Sequence, residues 1–440
     1  MQDASSSPPQ SPPTRGGGGS FVLLRTRRFL PLFITQFLGA LNDNLFKNAL
    51  AVLALFQAGE HGPVLVAAAG GVFILPYVLF ASIAGELADR HDKARLIRVM
   101  KSWECALMAT AAAGFLTGEI GFLMAVLFGL GMQAAFFSPL KYGILPDHLG
   151  IDEIVAGNGY IEAGTYVGIL LGTIAGAALI RAPGGATIVS VTGLLVALAG
   201  LLAARAIPSA RPVGGTVPIG WNLARQTVRI IAHARSDQLI WRCVLGISWF
   251  WMIGLVLLTQ FPVMAAGTLR GDASLVTLLL TGFTVGVGAG SLLCPILLRG
   301  AVSARHVGWA ALGISLFTWD FANAGPAAGA AGVASIAAVL THLAGWRLLV
   351  DLFLLAFCGG VFSVPLYAIV QERAAPAERA RMIAANNVLN AVFMVLGSAA
   401  AAALAAWGMG ASTILYLLAL LNLPVAIGVL ITQRRLRQAT

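Results

Sequence analysis

Twelve apolar runs, each long enough to cross a bilayer, leave this chain one kind of fold. They fall at about residues 29–56, 64–88, 96–117, 120–142, 153–180, 186–207, 239–266, 273–298, 306–324, 347–370, 381–406 and 410–432. A helix needs roughly 20 apolar residues to span the ~30 Å hydrocarbon core. Within hydrocarbon each backbone N–H and C=O must find its partner inside the segment, so every run is expected to be helical. With 58% hydrophobic and 10% charged residues over 440 positions, the chain is too apolar for a water-soluble globule. It reads as an all-α, polytopic membrane protein. The ninth run is the weakest, and the Gly/Ala-rich stretch from Gly325 to His342 is expected as an external loop helix or as a local shift of the spans.

A net charge of +10 raises nucleic acid as a partner, and the distribution of charge excludes it. If the N-terminus is cytoplasmic, only Arg181, Arg270 and Arg347 lie near external loops and only Lys47 lies inside a span. The remaining basic residues then fall on cytoplasmic flanks, the positive-inside pattern. Both termini are expected in the cytoplasm, and the basic flanks would hold anionic lipid head groups. Residues 1–28, which open with a Ser/Pro/Gly-rich stretch without an apolar signal region, are expected to be a disordered tail. The first apolar run is then retained as a span, and residues 434–440 form a second tail. Cys105, Cys243, Cys294 and Cys358 stand singly, without Cys-x-x-Cys spacing, and the six histidines are equally dispersed. Neither a metal site, a cofactor nor redox chemistry is expected.

Asp43 stands out within the first span. It lies in Leu41-Asn42-Asp43-Asn44-Leu45-Phe46-Lys47-Asn48, roughly 22 Å into the span at ~1.5 Å per residue. An ionised group at that depth costs several kcal/mol unless it is paired or faces water, which makes it a functional candidate. Lys47, one turn on, is the expected partner. The alternative is a structural ion pair that locks the first helix to its neighbours.

The segment 208–238, with Pro208, Pro212, Pro218 and a run of Arg, separates a bundle over 29–207 from one over 239–433. The halves repeat each other. Phe137-Ser138-x-x-x-Tyr142-x-Ile144-x-x-Asp147 corresponds to Phe362-Ser363-x-x-x-Tyr367-x-Ile369-x-x-Glu372, and Ala156-x-Asn158-x-x-x-Glu162-Ala163 to Ala384-x-Asn386-x-x-x-Asn390-Ala391. Parallel six-helix repeats place a cavity between the halves near the midplane, with transport by rocking.

Gly85-x-Leu87-Ala88-Asp89-Arg90, followed by Lys93 and Arg95, resembles the signature loop of the major facilitator superfamily, with Asp92 where the superfamily commonly has Gly. The resemblance implies that superfamily's fold, twelve helices in two six-helix halves, and a gating role for Gly85, Asp89, Arg90, Lys93 and Arg95. The Asp89 carboxylate is suited to accept backbone N–H bonds at a helix start and to pair with Arg. A narrower resemblance covers about Phe29 to Arg435. Gln36-Phe37-Leu38-Gly39-Ala40-Leu41-Asn42-Asp43-Asn44, Phe137-Ser138-Pro139-Leu140-Lys141-Tyr142-Gly143-Ile144-Leu145, Asn158-Gly159-Tyr160-Ile161-Glu162-Ala163 and Val364-Pro365-Leu366-Tyr367 with Gln371-Glu372 and Ala384-Ala385-Asn386-Asn387 are similar to the lysophospholipid transporters of that superfamily.

That likeness implies movement of lysophospholipid, chiefly lysophosphatidylethanolamine, from the outer to the inner leaflet of a bacterial inner membrane by alternating access, for re-acylation by a separate acyltransferase. Such a head group asks for an anion, a cation and neutral hydrogen-bonding groups. Asp43 and Glu162 are the expected anions, Lys47 and Lys141 the cations, and Asn44, Asn158, Asn386 and Asn390 the neutral groups. Asn387 is expected in interhelical bonding, and Lys141 serves equally well as an interface anchor. Only four of the 28 basic residues are lysines, so a compact ammonium has a use at those sites. The stretch from Ile253 to Gln260 in the seventh span carries no charge, and Trp249, Phe250, Trp251 and Phe261 of that span are candidates for an acyl-chain track. Glycine ladders at Gly164, Gly168, Gly172 and Gly176, and at Gly282, Gly286 and Gly290, suit either lateral openings or tight packing. An intramembrane enzyme lacks a nucleophile–base pair here. The alternatives that stay open are proton-coupled efflux of a drug or metabolite by the same fold, and a platform for an acyltransferase.

Overall fold

The computed structural model describes residues 22–57, 59–212 and 222–438. Twelve long helices carry the fold: α1 (Leu30–Gln57), α2 (Gly62–Arg90), α3 (Lys93–Thr117), α4 (Ile120–Gly143), α5 (Ile154–Leu179), α6 (Gly185–Arg205), α7 (Gln238–Val263), α8 (Ala273–Leu298), α9 (Val307–Ala330), α10 (Leu343–Arg373), α11 (Arg379–Ala406) and α12 (Ala411–Gln438). Nine of them are long and apolar enough to cross a membrane on composition alone; α1, α3 and α9 fall short. Those three carry polar and charged residues within their length, among them Asp43, Glu104 and Asp320. The ninth helix runs on to Ala330, and a short helix at Ile336–Thr341 occupies the Gly/Ala-rich stretch.

Helix ends are set by side chains. Asp92 starts α3 by accepting from the Arg95 N–H, Asp237 starts α7 through the Leu239 and Ile240 N–H groups, and Asp272 starts α8 through Ser274. Each satisfies donors that a first turn leaves orphaned. Asp92 therefore does the work of a turn residue where glycine was expected. It also accepts from the Ala210 N–H at 3.3 Å and from the Ser209 hydroxyl, which ties the chain after α6 to the α2–α3 loop. These hydrogen bonds outweigh the upward push of partial burial and hold the Asp92 carboxyl below its ordinary value.

The two halves repeat one packing scheme. In the first, α1 lies on α5, α2 on α4 and α3 on α6; in the second, α7 lies on α11, α8 on α10 and α9 on α12. Two equivalent pairs, α2 with α11 and α5 with α8, join the halves. The glycine ladders resolve as tight packing inside each half. A Cβ at Gly172 or Gly176 would overlap the Leu41 or Leu45 carbonyl of α1, and one at Gly286 or Gly290 would overlap backbone of α10 at Phe353 or Phe357. Neither ladder lines an opening between halves.

The 22–28 portion of the expected tail is packed: Leu23 is buried and Arg28 pairs with Glu153 at 2.5 Å. Residues 1–21 and 213–221 lie outside the described residues. The rest of the 208–238 segment includes a helix at Leu223–Ser236 that rests on α2 and α11.

Candidate functional site

One end of the bundle, where α2 turns into α3 and α11 begins, is shut. Asp89 is buried and accepts from the Ala380 N–H at 2.9 Å, the Arg381 N–H at 3.1 Å and Arg381 Nε at 3.2 Å. A carboxylate thus sits on the first N–H groups of α11, where the helix dipole favours it. Gly85, one turn before, allows the approach; its Cβ would stand 2.6 Å from the Ala384 Cβ. Lys93 pairs with Asp147 at 2.9 Å, and Arg379 of the second half reaches the same carboxylate at 3.6 Å. The Arg95 side chain and Arg90 make no ion pair among the described residues. Deeper in, Asn158 and Gln371 exchange hydrogen bonds at 2.6 and 3.1 Å, Gln371 also donates to the Tyr142 carbonyl, and the Tyr142 and Tyr367 rings stack at 4.4 Å. Tyr142 and Tyr367 are the equivalent residues of the two repeats, so the stack joins one half to the other at matching positions.

Above this floor lies a cavity of about 380 Å³. Its charges come from the first half: Asp43 and Lys47 on α1, Lys101 and Glu104 on α3, and Lys141 on α4. The facing wall, from α7, α10 and α11, holds Trp251, Tyr367, Asn387, Asn390 and aliphatic groups. Trp251 is fixed by its Nε1–H donating to the Tyr367 hydroxyl at 3.0 Å and by Tyr166 stacked parallel to it at 6.0 Å. Lys47 and Lys141 rest over aromatic faces, Nζ lying 4.3 Å from the Phe73 and 4.9 Å from the Tyr142 ring centroid, a stabilising arrangement for an ammonium without a carboxylate.

Of the residues singled out in the sequence, Asp43, Asn44, Lys47, Lys141 and Asn390 meet in the cavity. The expected Asp43–Lys47 ion pair is not formed. The lysine has swung onto Phe73, and the buried Asp43 Oδ1 has no hydrogen-bond partner among the described residues. Glu162 sits outside the lining, its Oε2 3.4 Å from the Tyr142 hydroxyl that donates to it. Asn158 and Asn386 are buried away from the cavity. Asn387, expected only between helices, does both: it accepts from Ser138 at 3.1 Å and lines the cavity. Helical phase explains the exchange, because 386 and 387 point about 100° apart. Only Trp251 of the four candidate track aromatics reaches the cavity; Phe250 and Phe261 are core, and Trp249 donates to Asn422.

The sequence reading missed Lys101 and Glu104. Lys101 follows Lys93, Arg95 and Arg98 and was counted with the cytoplasmic flank, yet it is fully buried and pairs with Glu104 at 2.6 Å. The available signal was their i,i+3 spacing on a helix that begins at residue 93, which puts both more than two turns in.

A cavity walled by both halves of a twelve-helix bundle, with charged groups on one side, defines a membrane transporter. Residues 32–325 match the Major Facilitator Superfamily. The chain is 32% identical over 354 residues to a protein of Salmonella gallinarum named lysophospholipid transporter LplT, covering 78% of this chain and 79% of that one, and equally so to its namesake in Salmonella typhi. Among solved structures, the human organic anion transporter MFSD10 superposes with a TM-score of 0.73 at 16% identity, over 92% of this chain and 99% of that one. The Escherichia coli fucose:proton symporter FucP superposes at 0.64 and 14%, over 92% and 98%. The chain belongs to the lysophospholipid transporter family of the major facilitator superfamily.

Proposed function

We propose that this protein carries lysophospholipid, chiefly lysophosphatidylethanolamine, from the outer to the inner leaflet of a bacterial inner membrane by alternating access. The observation that carries the reading is the two-sided cavity, with acids and lysines on one wall and uncharged aromatic and amide groups on the other. A phosphate and an ammonium find opposite charges in it, and Asp43 Oδ1 and the Asn387 amide N–H groups offer unused hydrogen-bonding capacity. At about 380 Å³ the space is of small-ligand size and suits a head group rather than a whole lysolipid. The acyl chain would remain in hydrocarbon, leaving between helices of opposite halves.

The basic flanks support a cytoplasmic location for the shut end and for both termini, and on that orientation the conformation described faces outward. Opening it requires the α11 start to leave Asp89 and the Tyr142–Tyr367 stack to part. A separate membrane-associated acyltransferase would then consume the delivered lysolipid. The test is uptake of labelled lysophosphatidylethanolamine by spheroplasts lacking their own transporter, comparing the native chain with Asp43→Asn. Re-acylated product with the native chain and at least about tenfold less with the variant, a loss of ~1.4 kcal/mol, is expected. No product from well-expressed native protein would refute the proposal in favour of efflux of another solute.

A further inference from the structure

The least expected feature of the cavity wall is a complete buried ion pair beside an acid that has none. Every carboxylate oxygen of Glu104 is committed: Oε1 accepts from Asn42 Nδ2 at 3.1 Å, and Oε2 from Lys101 Nζ at 2.6 Å and Gln133 Nε2 at 3.3 Å. Lys101 has three N–H groups and spends one on Glu104, its only hydrogen bond among the described residues. Nζ also lies 5.2 Å from the centroid of the Phe137 ring. The ammonium lies against Gly39 of α1, whose Cβ would stand 2.7 Å from Nζ. Gly39 lines the cavity with Lys101 and Glu104. The missing side chain on α1 therefore lets the Lys101 ammonium pack against that helix at the cavity wall, and Asp43 lies one turn further along the same helix.

We infer that the Lys101–Glu104 pair exchanges partners with the cargo, Lys101 taking the phosphate and Glu104, with Asp43, taking the ammonium. This rests on the zwitterionic lysolipid proposed above. The argument is one of charge balance. A buried pair is costly to break by removing one partner, because the other charge is stranded. A zwitterion that enters between the two charges strands neither, since one ion pair becomes two. Two carbons separate the phosphate and ammonium groups of an ethanolamine head group, a spacing comparable to the ~5–6 Å between side chains one helical turn apart, which is the interval from Gly39 to Asp43. Asn42 and Gln133 stay on Glu104 throughout and act as positioning residues.

The test separates this role from a structural one. Lys101→Glu combined with Glu104→Lys keeps an i,i+3 pair but reverses its polarity toward the cavity. The KM for lysophosphatidylethanolamine is expected to rise at least about tenfold, with the detergent melting temperature near that of the native chain. Native uptake accompanied by unchanged KM in the reversed variant would overturn this inference alone. If the reversed pair does not fold, Lys101→Gln with Glu104→Gln is measured instead, and an unchanged KM there is equally fatal. No uptake by the native chain would refute the parent proposal, and this one with it.

Discussion

Replacing Asp89 by Asn keeps the shape of the side chain and removes its charge. The native carboxylate receives three N–H groups, from Ala380, Arg381 and the Arg381 side chain, in a site where it is only 5% exposed. An amide offers one oxygen to this donor cluster and turns its own NH₂ toward the rest. With its oxygen at the Oδ2 position the amide keeps both Arg381 donors and loses Ala380; one charge-assisted bond of ~1.5–3 kcal/mol goes outright and two fall toward the ~1 kcal/mol of neutral bonds, a loss of about 3 kcal/mol. These contacts join α2 to α11 across the halves, so their loss falls on the balance between conformations. A change of ~2.7 kcal/mol carries a 99:1 equilibrium to even. The assay is a spin-label distance measurement between His91→Cys and Glu372→Cys, exposed positions on opposite halves, with the four native cysteines replaced. Asp89→Asn is expected to add a second, longer distance at comparable population. A distribution identical to that of native Asp89 would show that the carboxylate does not hold this end shut.

Three further outcomes follow from the geometry. Gly172→Val puts a branched side chain onto the Leu41 carbonyl and is expected to destabilise the α1–α5 contact by about 1–3 kcal/mol; a native melting curve in detergent would refute the packing role of the ladder. Asp92→Ala removes a helix cap and is expected to cost about 1 kcal/mol at neutral pH. Because hydrogen bonds from Ser209, Arg95 and Ala210 depress the folded carboxyl, this contribution is present above its unfolded value of ~3.9 and lost as pH falls through the lower folded value; a difference in melting temperature that persisted below that range would contradict the assignment. Trp251→Phe frees the Tyr367 hydroxyl and is expected to alter the KM for lysolipid, measured in the same uptake assay, while expression holds; an unchanged KM would remove Trp251 from the cargo wall.

The helices were legible because hydrocarbon permits little else: an apolar run of span length has one way to satisfy its backbone, and the helical limits follow the runs closely. The repeat was legible too, since matched strings at the ends of the fourth and tenth helices resurface as the Tyr142–Tyr367 stack. What failed was rotational detail. Asn386 and Asn387 differ by one residue and exchange roles, a phase that tertiary packing sets and string matching does not carry. Lys47 was paired with Asp43 by spacing alone, whereas an aromatic face from another helix captured it. Lys101 was lost among flanking cations because burial depends on where the helix begins.

The stacked tyrosines bear on descent. A residue that meets its own counterpart across a twofold relation makes an isologous contact, the kind two separate copies of a six-helix ancestor would already have made. Such a contact is constrained to change on both sides together. Positions that do not meet their own counterpart face unlike neighbours and are released from that restraint, so one copy can carry Lys141 in the cavity where the other carries Leu366. The lopsided charge of the cavity is then what duplication followed by fusion allows: a symmetric seam where like meets like, and divided labour everywhere else.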